Sequence, residues 1–269
     1  MTWHWRERPR VPMMRPERLE TLMKREVKIP TPDGDARAFA FTPDGGKGPW
    51  PAAIIFMDAP AIRPALFEMG ERLAKSGYFV LLPDLFWRAG PYTPPNVAKL
   101  RAGDAAETEN FAKLRASTGA GRQMTDTNAC LDWLAKQPDA KANKVGVTGY
   151  CMGGAVALRA AGTFPDRIVA AASFHGGGMA TDDEKSPHRV APQVKAKVLV
   201  AGADQDAHYD EAQNERLKKA LAEAHVDAEV SIWKGCLHGW VPTDMPVYNA
   251  EGAERHWREL VELFDKTLK

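Results

Sequence analysis

The chain has 269 residues, and its 36 basic and 35 acidic side chains give a formal net charge of +1. This balance excludes an overall field that would attract nucleic acid or an anionic membrane, so any partner has to be recognised locally. A charged fraction of 26% beside 44% hydrophobic residues is typical of a soluble protein with a sizeable core.

The three cysteines (Cys130, Cys151 and Cys236) are too few and too widely spaced for a disulfide framework or a zinc cage. At least one is expected to be a free thiol, which favours a reducing cytoplasm.

The N-terminus has no apolar run of the kind found in secretory signals, and no stretch approaches the length of a membrane span. We predict an extension over residues 1–24 that either lies over the domain, as Trp3 and Trp5 favour, or is partly disordered. A single domain over residues 25–269 is predicted to follow it.

The domain opens with two predicted strands, residues 25–30 and 36–41, joined by an Asp-Gly turn. Apolar runs bounded by turn residues then alternate with stretches of helical spacing. The predicted strands cover residues 51–57, 78–82, 144–149, 168–174, 197–202 and 228–233. The predicted helices cover residues 64–75, 126–136, 154–161, 210–224 and 251–268, and a polar excursion over 84–118 carries one or two more.

A hairpin followed by repeated strand–helix units indicates an α/β fold: a mostly parallel sheet of about eight strands with helices on both faces. In such sheets ligands gather at the carboxyl ends of the strands. Residues that carry chemistry should therefore lie directly after a strand.

The sequence Gly149-Tyr150-Cys151-Met152-Gly153 stands between a predicted strand and a predicted helix. This is the G-x-nucleophile-x-G elbow with cysteine in the central position. The turn would aim the sulfur at the unpaired amides of the helix N-terminus. The amide of Met152 is then placed to bind a substrate oxyanion, and the helix dipole favours a thiolate.

A thiol nucleophile needs a base, and the base needs a group that orients it. In enzymes built around this elbow, the nucleophile comes first in the chain, the acid second and the histidine third. Of the seven histidines, His238 follows the last predicted strand and has Gly239 beside it, so we predict it as the base. His175 ends a neighbouring strand and is predicted to form a pocket wall. Asp204 and Asp206 both follow the predicted strand 197–202, and we prefer Asp206 as the acid.

The elbow Gly149–Gly154, the loop of Asp206 and the His238-Gly239 pair together resemble the dienelactone hydrolase family (carboxymethylenebutenolidases), over about residues 27–269. The resemblance implies a single-domain α/β-hydrolase that opens cyclic enol esters or cleaves related esters without metal or cofactor. It also implies that Asp58, after the first central strand, takes part in the proton network of the resting cysteine. The amide of Ala59 would then be the second oxyanion donor.

One position departs from the family pattern. Enzymes of the family that act on dienelactone itself hold the substrate carboxylate with arginines, one of them four residues after the histidine, where this chain has Pro242. Other loops could supply a charge. The candidates are Arg63, Arg88 and Arg101.

The aromatic residues Tyr150, Trp87 and Trp240 are predicted to line the pocket. The predicted partner is a small ester or lactone, bound by a monomer or small homo-oligomer. Two other functions stay open: a thiol-dependent esterase or thioesterase of other metabolism, and a catalytically idle hydrolase fold kept as a binding protein.

Overall fold

The computed structural model describes residues 23–44 and 46–269. Within them the strands are β1 Met23–Thr31, β2 Gly34–Thr42, β3 Trp50–Phe56, β4 Phe79–Pro83, β5 Ala140–Tyr150, β6 Ile168–Phe174, β7 Lys197–Ala203 and β8 Ala228–Trp233. The helices are α1 Pro64–Lys75, α2 Val97–Arg101, α3 Ala105–Ala116, α4 Ala120–Ala135, α5 Met152–Thr163, α6 Glu211–Glu223 and α7 Ala250–Leu268.

The strands form one sheet in the order β1-β2-β4-β3-β5-β6-β7-β8. The first three strands in this order pair antiparallel, and every later pair is parallel. The chain moves from β3 through α1 to β4 in one direction, and from β5 through α5 to β6 in the other. Because such crossovers are right-handed, α1 and α5 lie on opposite faces of the sheet. The predicted fold class is confirmed.

The central strands are apolar along their whole length because helices cover both of their faces. All five residues of β4 are buried, and so are the last five of β3. The carboxyl ends of β3, β5, β7 and β8 are thereby fixed along one edge of the sheet, where the loops that carry polar residues begin.

Some boundaries differ from those predicted. Helix α4 begins at Ala120 rather than at residue 126: Gly119 is extended and precedes the helix, whereas Gly121, which resembles a loop residue, lies in its first turn. The first strand begins at Met23, so residues 23 and 24 of the predicted extension belong to the sheet. The rest of that extension lies outside the described residues. None of the described helices combines the length and the apolar character that crossing a membrane requires.

Candidate active site

Cys151 stands alone between the end of β5 and the start of α5, with φ 53° and ψ −116°. A positive φ is uncommon for a residue with a side chain and marks a turn that its surroundings enforce. A Cβ on Gly149 would overlap the carbonyl oxygen of Gly153, and a Cβ on Gly153 would overlap that of Phe56. The two glycines of the motif are therefore required by backbone contacts. Cys151 is partly exposed, whereas Cys130 and Cys236 are buried.

The His238 ring is held by Asp206. Its Nδ1 lies 2.6 Å from Oδ2 of Asp206, whose side chain is 2% exposed. The other carboxylate oxygen, Oδ1, accepts the backbone N–H of His208 at 2.8 Å. Both oxygens of Asp206 thus have partners, and they fix the direction in which the carboxylate faces the ring.

Asp204 faces elsewhere. Its Oδ2 accepts the amide of Gly235 at 3.0 Å, and its Oδ1 lies 3.4 Å from Nζ of Lys234. The backbone of Gln205 has φ 52°, so the chain turns between the two aspartates. Of the pair, the structure brings Asp206 to His238.

Burial alone would lower the pKa of His238, but the hydrogen bond with Asp206 and the influence of the Cys151 side chain outweigh it and raise the pKa to about 10. Because Nδ1 faces Asp206, Nε2 is the ring nitrogen available to the Cys151 sulfur. A ring with this pKa is protonated at neutral pH and presents a positive charge to the sulfur.

The two amides predicted to bind an oxyanion belong to Met152 and Ala59. Met152 is the first residue of α5, where helical amides have no intrahelical partner. The backbone of Gly153 packs against the carbonyl groups of Phe56 and Met57, so the loop after β3 runs beside the start of α5. Within the described residues, neither amide donates a hydrogen bond to another protein group.

Asp58 does not have the contacts that the resemblance implied. Its carboxylate binds the guanidinium of Arg63, with nitrogen–oxygen distances of 2.5 and 2.9 Å, and not the thiol of Cys151. Arg63 also binds Asp244, at 2.6 Å. The arginine therefore joins the loop after β3 to the loop that carries His238.

His175 lies against the elbow and is fully buried, so it belongs to the base of the site and not to a solvent-facing wall. Its Nδ1 accepts the backbone N–H of Cys151 at 3.1 Å. Its ring centroid is 5.3 Å from that of His238 and 5.0 Å from that of Trp240. Trp240, also fully buried, packs behind His175 and does not line an open pocket.

Two other predicted pocket residues lie elsewhere. The hydroxyl of Tyr150 is 2.8 Å from Nε2 of His256 on α7, so this side chain is part of the core. The indole N–H of Trp87 donates to Asp126 on α4 at 3.1 Å. Both side chains are bound to helices, Tyr150 to α7 and Trp87 to α4.

Arg115 was not among the candidates identified from the sequence. It lies on α3, and its guanidinium contacts the sulfur of Met152, the residue after Cys151. Arg63 and Arg88 are both held in ion pairs with aspartates. Arg115 has no carboxylate partner within the part of the chain that the structure describes. No sequence signal marks it, because its position depends on where α3 lies relative to the start of α5.

In residues 23–44 and 46–269, no group of three or more His, Cys, Asp or Glu side chains is arranged to hold a metal ion.

Comparison with known proteins places the chain in a family. The model of the "Dienelactone hydrolase family" matches residues 36–268. The chain belongs to this family. Its members are hydrolases, and the predicted resemblance is confirmed.

Relatives agree with this assignment, and a solved structure shares the fold. A protein of Methylorubrum extorquens named "Putative carboxymethylenebutenolidase" is 29% identical over 248 residues, which cover 90% of this chain and 81% of the relative. A protein of the same name from Synechocystis sp. is 25% identical over 230 residues, covering 82% and 88%. The crystal structure of a "Putative Dienelactone Hydrolase" from Klebsiella pneumoniae subsp. pneumoniae superimposes with a TM-score of 0.79 at 22% identity, covering 91% of this chain and 99% of that one.

Proposed function

We propose that this member of the family cleaves carboxylic esters or lactones through a triad of Cys151, His238 and Asp206. One observation carries the proposal: the His238 ring is held at 2.6 Å by the buried carboxylate of Asp206, and the Cys151 side chain is among the groups that raise the pKa of this ring. A base that is oriented by an acid and touches the nucleophile is the arrangement that acyl transfer requires. The names of the relatives support a lactone or ester substrate.

The reaction would run in two steps. The thiolate of Cys151 attacks the carbonyl carbon, and the amides of Met152 and Ala59 bind the oxyanion. The carbon–oxygen bond of the ester then breaks, and the leaving oxygen takes a proton from His238. A water molecule then attacks the thioester and gives its proton to His238. The carbon–sulfur bond breaks, the acid is released, and Cys151 returns as a thiolate beside a protonated His238.

The nucleophile is tested by Cys151→Ala. We expect hydrolysis of p-nitrophenyl acetate to fall by several orders of magnitude while the fold is retained. Cys130→Ala is the matched control, because this buried thiol lies on α4 and should leave turnover unchanged. Wild-type hydrolysis by the Cys151→Ala variant would rule out the proposal.

Alkylation distinguishes an enzyme from an idle fold. Iodoacetamide should modify Cys151 rapidly at neutral pH, because this thiol is partly exposed and beside a protonated His238. Mass spectrometry should find one modified thiol and complete loss of turnover. A Cys151 that reacts no faster than the two buried thiols would favour a binding protein without activity.

The substrate's charge is a finer part of the proposal. Since Arg63 and Arg88 are held by aspartates, Arg115 is the arginine we expect to meet a substrate carboxylate. A panel of lactones and aryl esters in matched pairs, with and without an α-carboxylate, should show this through kcat/KM. Arg115→Gln should lower the ratio of kcat/KM for the charged substrate to kcat/KM for the neutral one. An unchanged ratio would remove Arg115 from substrate recognition. The same panel, extended by thioesters, separates a lactonase from a thioesterase.

A further inference from the structure

His175 and Cys151 occupy equivalent places at the ends of neighbouring strands. Strands β5 and β6 are parallel, and their last residues, Tyr150 and Phe174, are register partners. The two residues that follow have positive φ values, 53° at Cys151 and 41° at His175. Two side-chain-bearing residues in this conformation, side by side, show that the surroundings impose the backbone geometry.

A shared hydrogen bond connects the two turns. The backbone N–H of Cys151 donates both to the carbonyl oxygen of Phe174, at 3.2 Å, and to Nδ1 of His175, at 3.1 Å. A ring nitrogen that accepts carries no proton, so the proton of the neutral ring is on Nε2. His175 is itself anchored, because its backbone N–H donates to the carbonyl oxygen of Ala201 at 2.9 Å.

The His175 ring is suited to remain an acceptor. It is fully buried, and burial, together with the charges of His238, His256 and Arg63, lowers its pKa well below 6.5. A neutral ring at this place also avoids a second positive charge beside a protonated His238.

The same ring contacts the base. Its centroid is 5.3 Å from that of His238 in an edge-on arrangement, and 5.0 Å from that of Trp240 on the His238 loop. One buried side chain therefore touches the backbone of the elbow residue, the predicted base, and the loop that carries this base.

We propose that His175 is a positioning residue: by accepting the amide of Cys151 through Nδ1, it fixes the elbow so that the sulfur faces the ring of His238. The inference rests on the proposed function, in which Cys151 is the nucleophile. His175 itself touches no reacting atom and takes no proton during turnover.

Two variants separate the effect of losing the hydrogen-bond acceptor from the effect of losing the aromatic ring. His175→Phe keeps a buried aromatic ring but removes the acceptor. His175→Asn loses the ring but places an amide oxygen close to the position of Nδ1, and asparagine tolerates a positive φ. We expect kcat to fall about tenfold in the Phe variant and to stay within about threefold of wild type in the Asn variant, with KM unchanged in both, because one net hydrogen bond is at stake.

A second measurement does not depend on activity. The chain has three cysteines, so labelling with ¹⁵N-cysteine gives three backbone amide resonances, and the one lost in Cys151→Ser belongs to Cys151. This resonance should shift in His175→Phe and stay near its wild-type position in His175→Asn. The resonances of Cys130 and Cys236 should remain unchanged in both variants and show that the fold is intact.

Two results would overturn the inference. One is a His175→Phe variant with wild-type kcat and an unshifted Cys151 amide. The other is a His175→Asn variant whose kcat falls as far as that of the Phe variant, with the fall in each variant following the fall in its melting temperature. That pattern would describe a packing role alone. Activity in Cys151→Ala would instead remove the premise about the nucleophile, and the amide shift would still report on the hydrogen bond.

Discussion

Replacing Asp206 with asparagine removes the charge that the His238 ring faces and nearly preserves the side chain's shape. The pKa of His238 is raised to about 10, against an ordinary value of 6.5, and the hydrogen bond with Asp206 is the largest cause that raises it. Once the carboxylate is gone, the Cys151 side chain alone opposes the lowering effect of burial. The pKa of His238 should therefore fall toward 6.5. At pH 7.5 the protonated fraction of the ring would then drop from about 99% toward about one-tenth.

Two rates should follow this change. Alkylation of Cys151 by iodoacetamide at pH 7.5 should slow by up to about tenfold, in step with the loss of positive charge from the His238 ring beside the sulfur. The kcat for p-nitrophenyl acetate should fall further, by about 10³–10⁴-fold, because the asparagine amide also favours the wrong tautomer of the ring. The titration of His238 itself can be followed by NMR of ¹³C-labelled histidine, with its signal assigned through His238→Gln.

Asp204→Asn is the matched control. This carboxylate lies two positions away and binds the amide of Gly235 and the ammonium of Lys234, so its loss should leave kcat and the pKa of His238 unchanged. If instead Asp204→Asn lost activity and Asp206→Asn retained it, the acid would be Asp204. Wild-type rates in both variants would refute the reasoning about the triad altogether.

Three further predictions concern the elbow, the pH dependence and the buried ion pairs. Gly149→Ala should lower kcat by about 10²-fold or more, because the new Cβ would overlap a carbonyl oxygen at the start of α5; Gly121→Ala, which meets nothing, should not. The raised pKa of His238 stabilises the folded state, fully below pH 6.5, and this contribution is lost as the pH rises through about 10. The melting temperature should therefore fall over that range, and His238→Gln should abolish this slope. Arg63→Met should lower the free energy of unfolding by about 3–5 kcal/mol in urea titrations, because it leaves the buried Asp58 carboxylate unpaired. Adding Asp58→Asn should restore part of this free energy, and a further loss in the double variant would contradict the role of the buried ion pair.

Much of the site could be predicted because it depends on where strands end. Cys151, Asp206 and His238 each follow a strand of one parallel sheet, and the carboxyl ends of such strands meet at one edge. The choice between the two aspartates could be stated only as a preference. It depends on the turn at Gln205, whose positive φ directs one carboxylate to the ring and leaves the other at Gly235.

The core position of Tyr150 follows from the strand's periodicity once one position of β5 is known to face α7. A Cβ on Gly146 would touch Phe264 and Leu268 of α7, so that position of β5 faces this helix. Side chains two positions apart share a face, which directs Tyr150 toward α7 and His256 and away from the site. The position of Gly146 relative to α7 is a tertiary fact that the sequence alone does not state.

The contacts of Asp58 and Arg115 could not be predicted for a related reason. Asp58 follows the first central strand, as an acid of the family does, but Arg63 lies only five residues later and reaches back to it. Arg115 belongs to a helix of the long excursion, and no local pattern fixes where this helix lies relative to α5. Residues at strand ends are positioned by the sheet, whereas one of these contacts forms within a loop and the other joins two helices.

The choice of a sulfur nucleophile limits the esters that this site can cleave. Once the tetrahedral intermediate has formed, either the thiolate or the ester oxygen can leave, and the weaker base leaves more readily. A thiol has a pKa of about 8.5 and a phenol of about 10, whereas an alkyl alcohol is a far weaker acid. Expulsion of an alkoxide therefore requires a proton at the moment of bond breaking, and a His238 that keeps its proton up to pH about 10 can supply it. Enol lactones and aryl esters need this help least, which is why we expect them to be turned over faster than alkyl esters.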